Sequence, residues 1–244
     1  MVPVNANKLS DEIIVLAGGL GTRLRSVVPE LPKCMAPVNG KPFLAYVINY
    51  FQQQGINNFI FSLGYKYETI IEYLSKFITN DSRFTFKYSI EEEPLGTGGA
   101  IKKTCALVNN ENVFITNGDT LFNADTLLLK NFHYIKKADC TLALKPLQNF
   151  SRYGVIELNE DESLKEFSEK KYYENGLING GLYMLNVINF LGEPLPEKFS
   201  FETDYLEKYY NKRSVFGLVQ DKYFIDIGIP EDYERAQEEL EFKV

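Results

Sequence analysis

Short apolar runs alternate with amphipathic segments along the first half of the chain. Ile13 to Leu16 is a β-branched run of the kind that forms a buried strand, and residues 43–54 carry apolar side chains at helical spacing before Gly55. The same pattern predicts strands at 58–62, 84–89 and 112–116, helices at 68–77 and 100–107, and a loop at 91–99. This alternation is typical of βαβ units and predicts an α/β fold with a Rossmann-like, doubly wound, mostly parallel sheet.

The second half of the chain is richer in strands. The pattern predicts strands at 140–145, 154–158, 181–185, 214–219 and 223–227, and helices at 124–136, 201–210 and 231–241. No stretch has the composition of a linker, and no internal repeat is visible. We therefore expect a flexible lead-in over residues 1–10 and a single domain over 11–244.

The first predicted strand leads directly into a glycine-rich loop, A-G-G-L-G-T, followed by the cations Arg23 and Lys33. Glycines let a backbone turn sharply and approach a ligand closely, and successive N–H groups in such a loop bind anions. The loop lacks the Gly-Lys-Ser/Thr ending of a P-loop, and Leu24 stands where a dinucleotide fingerprint needs its third glycine. The pattern therefore favours a phosphate site over an oxidoreductase or a plain turn.

Composition narrows the class of protein further. The 244 residues carry a formal net charge of −7, which argues against nucleic acid as the main partner. Three scattered cysteines without metal-ligand spacing are typical of reduced thiols in the cytosol. No signal peptide or membrane-spanning run is visible in the sequence. We expect a soluble cytoplasmic protein without a membrane partner.

A possible metal ligand follows the strand predicted at 112–116. Asp119 ends the turn Asn117-Gly118-Asp119, and ligands of doubly wound sheets lie beyond the carboxyl ends of the strands. We therefore expect this turn and the glycine loop to line one crevice. A carboxylate there suits Mg²⁺, which prefers oxygen ligands, although a solvated turn or helix-capping aspartate is an equally valid interpretation of the residue alone.

Two motifs carry a family resemblance. The run L-A-G-G-x-G-T-R-L at 16–24, followed by P-K-x-M-x-P-V-x-G-K-P at 32–42, resembles the sugar-1-phosphate nucleotidyltransferases. This resemblance implies the nucleotidyltransferase fold, with a nucleotide-binding half at about 11–122 and a sugar-binding half at about 123–244. It also implies Mg²⁺ held by Asp119 and Asp226, with Arg23 and Lys33 as catalytic cations. The family pattern around the second acid differs here, because Ile229 replaces a threonine.

The resemblance assigns the remaining nucleotide contacts to the glycine loop, the acidic run at 91–93 and the turn before Asp119. Glycines in the segment 91–99 let a flat base approach the backbone. The acidic side chains of this segment can accept hydrogen bonds from the N–H groups of guanine. A solvated acidic run ahead of a glycine turn is the alternative interpretation. The predicted nucleotide-binding residues are Leu16, Ala17, Gly18, Gly19, Gly21, Thr22, Arg23, Glu91, Glu92, Glu93, Gly96, Thr97, Asn117 and Gly118.

Further family motifs lie in the second half. Tyr153-Gly154-Val155, Phe167-Ser168-Glu169-Lys170 and Asn179-Gly180-Gly181 resemble sugar-binding segments, although Lys171 replaces a common proline. The predicted sugar-phosphate ligands are Gly154, Glu169, Lys170, Asn179 and Gly181. Without the resemblance, Glu169 and Lys170 would be interpreted as a solvated pair on a surface loop. The segment Ser200 to Asp204 resembles the S-x-E-x-D helix start of the family, and simple helix capping is an equally valid interpretation.

Within the family the motifs are most similar to short guanylyltransferases. That similarity implies GTP as the nucleotide donor, a manno-heptose 1-phosphate as the acceptor, and a role in surface polysaccharide synthesis. Thymidylyl or uridylyl transfer to glucose 1-phosphate or MurNAc 1-phosphate remains open, as does a non-catalytic homologue that binds nucleotide-sugar. The presence of Arg23, Lys33, Asp119 and Asp226 disfavours the last of these. A homodimer is also compatible with the family.

Overall fold

The computed structural model describes residues 10–19, 21–24, 27–78 and 84–242. Within them the strands are β1 (Glu12–Ala17), β2 (Pro37–Val38), β3 (Lys41–Pro42), β4 (Asn58–Leu63), β5 (Thr85–Ile90), β6 (Asn112–Asn117), β7 (Thr120–Phe122), β8 (Cys140–Phe150), β9 (Val155–Leu158), β10 (Leu164–Ser168), β11 (Tyr173–Asn186), β12 (Val215–Val219) and β13 (Phe224–Asp226). The helices are α1 (Phe43–Gln53), α2 (Tyr67–Ile78), α3 (Gly96–Thr104), α4 (Thr126–Lys136), α5 (Val187–Leu191), a π-helical turn (Phe201–Leu206), α6 (Glu207–Tyr209) and α7 (Pro230–Glu239). Residues 1–9 of the predicted lead-in lie outside the described residues.

The main sheet has the strand order β12-β8-β11-β6-β1-β4-β5 in the described part of the chain. Strand β1 is parallel to β4 and β6, β4 is parallel to β5, and β12 is parallel to β8. Only β11 runs against its neighbours in this sheet, because it pairs antiparallel with both β6 and β8. The predicted mostly parallel, mixed sheet is confirmed.

Apolar side chains are buried on both faces of this sheet. Ile13 and Val15 belong to one hydrophobic cluster, together with residues of α1, α2 and α7. Ile14 belongs to a second cluster, which includes Ile101 of α3. Because successive strand residues point to opposite faces, the continuous apolar run of β1 is what a strand covered on both sides requires. The doubly wound, single-domain prediction is confirmed.

Helix α3 corrects one sequence prediction. Residues 96–99 were expected in a loop, but the helix already begins at Gly96. The glycines serve close packing, because a Cβ on Gly98 would lie 2.1 Å from Cε2 of Phe199 and one on Gly99 would lie 2.3 Å from the carbonyl oxygen of Glu197. A local reading of glycine as a helix breaker misses this tertiary requirement.

Strand β11 is also longer than the predicted segment 181–185. It runs from Tyr173 to Asn186, and its first half pairs with β8 from Tyr173 opposite Phe150 to Asn179 opposite Leu144. Polar and glycine residues hide this first half from a hydrophobicity pattern. Backbone pairing with β8 stabilises this part of the strand, although its side chains do not show the pattern of a strand.

Two expectations about compartment can be compared with the structure. Cys34, Cys105 and Cys140 are all buried and unpaired, as predicted for reduced thiols. Among the described residues, no helix combines the length and apolar character needed to cross a bilayer.

Candidate active site

Three loops meet where β1, β4 and β6 end. These parallel neighbours have their carboxyl ends at one edge of the sheet, so the segments that follow them come together there. The backbone N–H of Gly118 donates to the carbonyl oxygen of Leu16 at 2.8 Å, and the N–H of Tyr65 donates to that of Gly18 at 3.3 Å. The structure therefore brings the glycine loop and the 117–119 turn together, as the sequence predicted.

Two glycines of the loop are required by close approach. Gly21 has a φ of +58°, and a Cβ on it would lie 2.9 Å from Cβ of Lys33. A Cβ on Gly18 would lie 2.9 Å from Oε1 of Glu91. The loop continues into a short 3₁₀ turn, Thr22–Leu24, on which Arg23 is exposed. The side chain of Thr22 lies outside the described part of the structure.

Lys33 lies between the two acids predicted to hold a metal. Its Nζ is 2.6 Å from Oδ2 of Asp119 and 3.2 Å from Oδ1 of Asp226, and only 12% of its side chain is exposed. Burial acts to lower the pKa of Lys33, but the negative charges of Asp119 and Asp226 outweigh it and raise this pKa above its ordinary value. The two carboxylates thus converge on one point and already stabilise a cation there.

A two-stranded ribbon brings these acids together. Strand β7 directly follows Asp119, and β13 ends at Asp226, which pairs with Thr120 in the antiparallel register. The N–H of Ile227 donates to the carbonyl oxygen of Asp119 at 3.1 Å, which closes the ribbon at the site. Strand β7 was not predicted, so the sequence offered no route to this pairing.

Asp226 is held by groups from several elements. Its Oδ1 accepts a hydrogen bond from the N–H of Gly228 at 2.8 Å, and its Oδ2 accepts one from the hydroxyl of Tyr153 at 3.5 Å. The guanidinium of Arg152 lies 3.6 Å from the same Oδ2 and forms a closer ion pair with Asp232 at the start of α7. Sequence reasoning missed Arg152, because nothing in its local pattern separates it from a solvated arginine.

Two cavities open on this edge of the sheet and share Asp119. The smaller, of about 170 Å³, is lined by the glycine loop with Arg23, Lys33 and Gly228. The larger, of about 1100 Å³, extends from the glycine loop to Glu91, Thr97 and Asn117. The segment 64–68 also lines the larger cavity, and sequence reasoning missed it although it follows the carboxyl end of β4. The rule that found the glycine loop would have found this segment too.

The three acids at 91–93 have different environments. The carboxylate of Glu91 accepts hydrogen bonds from the N–H of Leu95 at 3.0 Å and the hydroxyl of Ser62 at 3.3 Å. Glu91 therefore anchors its own loop beneath the larger cavity. Glu92 is exposed and lines this cavity, whereas Glu93 is exposed and is not among the described residues that line it.

Asn179 and Gly181 connect the second half of the chain to the 117–119 turn. Gly181 has a φ of +72° and lies so close to Asn117 that a Cβ would be 2.6 Å from its Nδ2. Asn179 accepts a hydrogen bond from the N–H of Gly181 at 3.0 Å and donates one to the hydroxyl of Tyr183 at 2.8 Å. These hydrogen bonds lie at the irregularity of β11 between Asn179 and Tyr183, where the register of its pairing with β8 shifts.

The remaining predicted sugar ligands lie further out. A Cβ on Gly154 would be 2.5 Å from the carbonyl oxygen of Ser168, which packs this glycine against the end of β10. Glu169 and Lys170 follow on an exposed turn, and in the described structure neither lines the two cavities above. The hydroxyl of Tyr173 holds the turn by donating to the carbonyl oxygen of Glu169 at 2.9 Å.

The segment 200–204 caps its helical turn and also reaches the larger cavity. The N–H of Thr203 donates to Oγ of Ser200 at 3.2 Å, and the N–H of Ser200 donates to Oδ2 of Asp204 at 2.9 Å. Glu202 lines the cavity and accepts a hydrogen bond from the hydroxyl of Thr97 at 2.6 Å. Capping explains Ser200 and Asp204, whereas the position of Glu202 agrees with the ligand-binding interpretation.

Backbone donors, cations and paired carboxylates around one cleft are the groups that bind and neutralise a polyphosphate. Residues 12–243 match the family described as nucleotidyl transferase. The chain belongs to the nucleotidyl transferase family. The family expectation from the sequence motifs is therefore confirmed over nearly the whole chain.

Two relatives and one solved structure refine the comparison. The chain is 52% identical, over 94% of its length and 98% of the relative's, to a D-glycero-alpha-D-manno-heptose 1-phosphate guanylyltransferase of Aneurinibacillus thermoaerophilus. It is 46% identical to the Campylobacter jejuni protein of the same name, over 91% of its length and 96% of the relative's. The crystal structure of HddC from Yersinia pseudotuberculosis complexed with GMP-PN matches with a TM-score of 0.84 and 37% identity, covering 93% of this chain and 98% of that one. The expected similarity to guanylyltransferases is confirmed.

Proposed function

We propose that this protein transfers GMP from GTP to D-glycero-α-D-manno-heptose 1-phosphate and releases pyrophosphate. An oxygen of the sugar phosphate attacks the α-phosphorus, and the bond from that phosphorus to the leaving pyrophosphate oxygen breaks. The observation that carries the proposal is the convergence of the glycine loop, Lys33 and the pair Asp119 and Asp226 on one cleft. The relatives of the same name supply the sugar and the base.

The predicted nucleotide contacts fit this reaction in the larger cavity. We propose that the backbone of residues 16–19 and Gly21, with the side chain of Arg23, binds the triphosphate, since these residues line the two cavities that share Asp119. Thr22 stays a proposed contact beside them. Lys33 neutralises charge on the reacting phosphates, which is the main task of a protein in phosphoryl-type transfer. This assigns the nucleotide to the half at about 11–122 and the sugar to the half at about 123–244.

We propose that guanine binds in the part of the larger cavity that is lined by Glu92, Gly96 and Glu202. Its N1–H and N2–H₂ groups need acceptors, and carboxylates and backbone carbonyls provide them. Glu91 uses both carboxylate oxygens inside the protein, so its proposed role is to hold the base-binding loop. Thr97, Asn117 and Gly118 keep their proposed place along the nucleotide.

The acid pair fits a divalent metal ion. Asp119 and Asp226 direct one oxygen each at the same point, where they already stabilise the ammonium of Lys33, and carboxylates are the ligands that Mg²⁺ prefers. We propose that these two residues hold Mg²⁺, which when bound neutralises charge developing on the phosphates. The bond from Gly228 keeps Asp226 in the orientation that this requires.

The sugar side of the proposal rests on the residues next to Asn117. Gly181 lies against this residue and Asn179 accepts a hydrogen bond from the N–H of Gly181, which supports both as ligands of a sugar joined to the α-phosphate. Gly154 follows Tyr153, whose hydroxyl reaches Asp226, so the same turn borders the metal site. Glu169 and Lys170 stay proposed ligands of the sugar hydroxyls and phosphate, and their exposed turn would have to close over the bound sugar.

The test is pyrophosphate release measured with Mg²⁺, crossing GTP, ATP, CTP, UTP and dTTP with several sugar 1-phosphates. The panel contains the 1-phosphates of D-glycero-α-D-manno-heptose, mannose, glucose and MurNAc. We expect release with GTP and the heptose phosphate, and loss of release in Asp226→Asn. Release only with UTP or dTTP would overturn the base and sugar while keeping the reaction. Folded protein that binds nucleotide but is silent across the panel would be a non-catalytic homologue.

Two further expectations stay predictions. A cytoplasmic location follows from the reduced thiols and the cytosolic nucleotide pool, and fractionation of the cells tests it. A homodimer is compatible with the family resemblance and is proposed here, and sedimentation equilibrium of the purified protein tests it. A monomer at micromolar concentration would contradict the second expectation.

A further inference from the structure

The acid pair of the proposed metal site is already occupied by a cation of the chain itself. Nζ of Lys33 makes contacts of 2.6 and 3.2 Å with one oxygen each of Asp119 and Asp226. The contact is built into the fold, because a Cβ on Gly228 would lie 2.9 Å from this Nζ and one on Gly21 would lie 2.9 Å from Cβ of Lys33. Two glycines thus leave the space in which the lysine side chain lies.

A divalent ion and this ammonium group cannot share the position. Asp119 and Asp226 would hold Mg²⁺ through carboxylate oxygens at about 2.0–2.1 Å, and the two oxygens that converge here are the ones that Nζ of Lys33 now contacts. An ammonium group and a divalent ion held by the same two acids would repel each other strongly in a partly buried site. Lys33 must therefore leave the acid pair when a metal enters.

We propose that Lys33 is the resident counter-ion of the acid pair and exchanges for the divalent cation when the active site is loaded. This inference rests on the proposed metal site. Lys33 also lines the small cavity together with the glycine loop and Arg23, so the displaced ammonium remains facing the proposed phosphate site. Lys33 thereby neutralises charge on the two acids before the metal binds. Once the metal is bound, the ammonium group of Lys33 is free to pair with the phosphates.

The exchange has a measurable consequence for the protein without nucleotide. Since Lys33 competes with the metal, its removal should strengthen metal binding, whereas loss of a purely phosphate-binding lysine should leave it unchanged. Even ligands at two separate sites typically change each other's affinity by about 5–150-fold. We expect Lys33→Met to bind Mn²⁺ at least about tenfold more tightly than the unmodified protein.

The experiment titrates the full chain with Mn²⁺ alone and follows free Mn²⁺ by its electron paramagnetic resonance signal. Arg23→Met is the matched control, because Arg23 lines the same cavity and its loss removes the same charge without emptying the position between the acids. Asp119→Asn in the Lys33→Met background identifies the site of the gained affinity. Lys33→Gln replaces Lys33→Met if circular dichroism shows that the latter is unfolded.

Two results together would support the exchange. Lys33→Met raises the affinity for Mn²⁺ and the added Asp119→Asn removes this gain, whereas Arg23→Met changes the affinity by less than about threefold. Equal affinity of Lys33→Met and the unmodified protein would overturn it, as would an equal rise with Arg23→Met. The proposed metal site fails separately. If Asp119→Asn and Asp226→Asn alone leave Mn²⁺ binding unchanged with the GTP analogue GMPPNP present, these acids do not hold the metal.

Discussion

His133 allows a quantitative prediction, because it is the single histidine of the chain and is 1% exposed. Its Nε2 lies 2.9 Å from Oδ1 of Asn112, and its Nδ1 lies 2.9 Å from the hydroxyl of Thr141. An amide oxygen only accepts, so Nε2 carries the proton and Nδ1 accepts from the hydroxyl. The ring is therefore held neutral in the core.

Burial lowers the pKa of His133 from 6.5 to about 4, against a smaller opposing effect of the charge on Asp139. The unfolded chain takes up this proton near pH 6.5, whereas the folded chain resists it until about pH 4. The contribution to stability is thus fully present above pH 6.5 and is lost as the pH falls toward 4. Between pH 8 and pH 5 the loss amounts to about 2 kcal/mol of unfolding free energy.

The assay is urea unfolding of the natural protein and of His133→Gln at pH 8, 7, 6 and 5. Carboxylates titrate in both proteins, so their effect cancels in the difference between the two unfolding free energies. We expect this difference to shift by about 2 kcal/mol against the natural protein between pH 8 and pH 5. Parallel curves over this range would refute the reasoning, because they would mean that the folded protein binds the proton as readily as the unfolded chain.

Two other substitutions test the site. Gly181→Ala places a Cβ at a φ of +72° and 2.6 Å from Nδ2 of Asn117, so we expect a stability loss of about 1–3 kcal/mol in urea unfolding together with a raised KM for the sugar phosphate. An unchanged KM would mean that this contact does not border the sugar. Glu91→Gln weakens the charge-assisted bond from the N–H of Leu95, and we expect KM for GTP to rise by about tenfold or less while kcat stays nearly constant. A fall in kcat at constant KM would contradict the anchoring role.

The elements that carry the glycine loop follow from local sequence. The apolar run of β1, the glycines after it and the helical spacing of α1 each depend on neighbours in the chain, so periodicity and turn chemistry reveal them. Parallel strands then place their carboxyl ends together by topology alone, which is why the meeting of the glycine loop with Asn117-Gly118-Asp119 could be predicted.

Packing decided what the local pattern misread. The glycines at 96–99 look like a loop, yet they begin α3 because Phe199 and Glu197 leave no room for a Cβ at Gly98 and Gly99. The first half of β11 is polar and gains its structure from pairing with β8. In both cases the partner lies far away in the chain, where a window of neighbouring residues carries no information about it.

The sequence by itself determined the fold class, the family and the set of residue types at the site. Only the tertiary structure decided how these residues meet: pairing of β7 with β13 places Asp226 beside Asp119, and Lys33 comes to lie between them. That arrangement also brings in Arg152, which no local pattern distinguishes, and Tyr153 of the Tyr153-Gly154-Val155 motif. The physical reason is that the interaction between charges depends on the distance between them. For residues far apart in the chain, that distance is set by strand pairing and not by the local sequence.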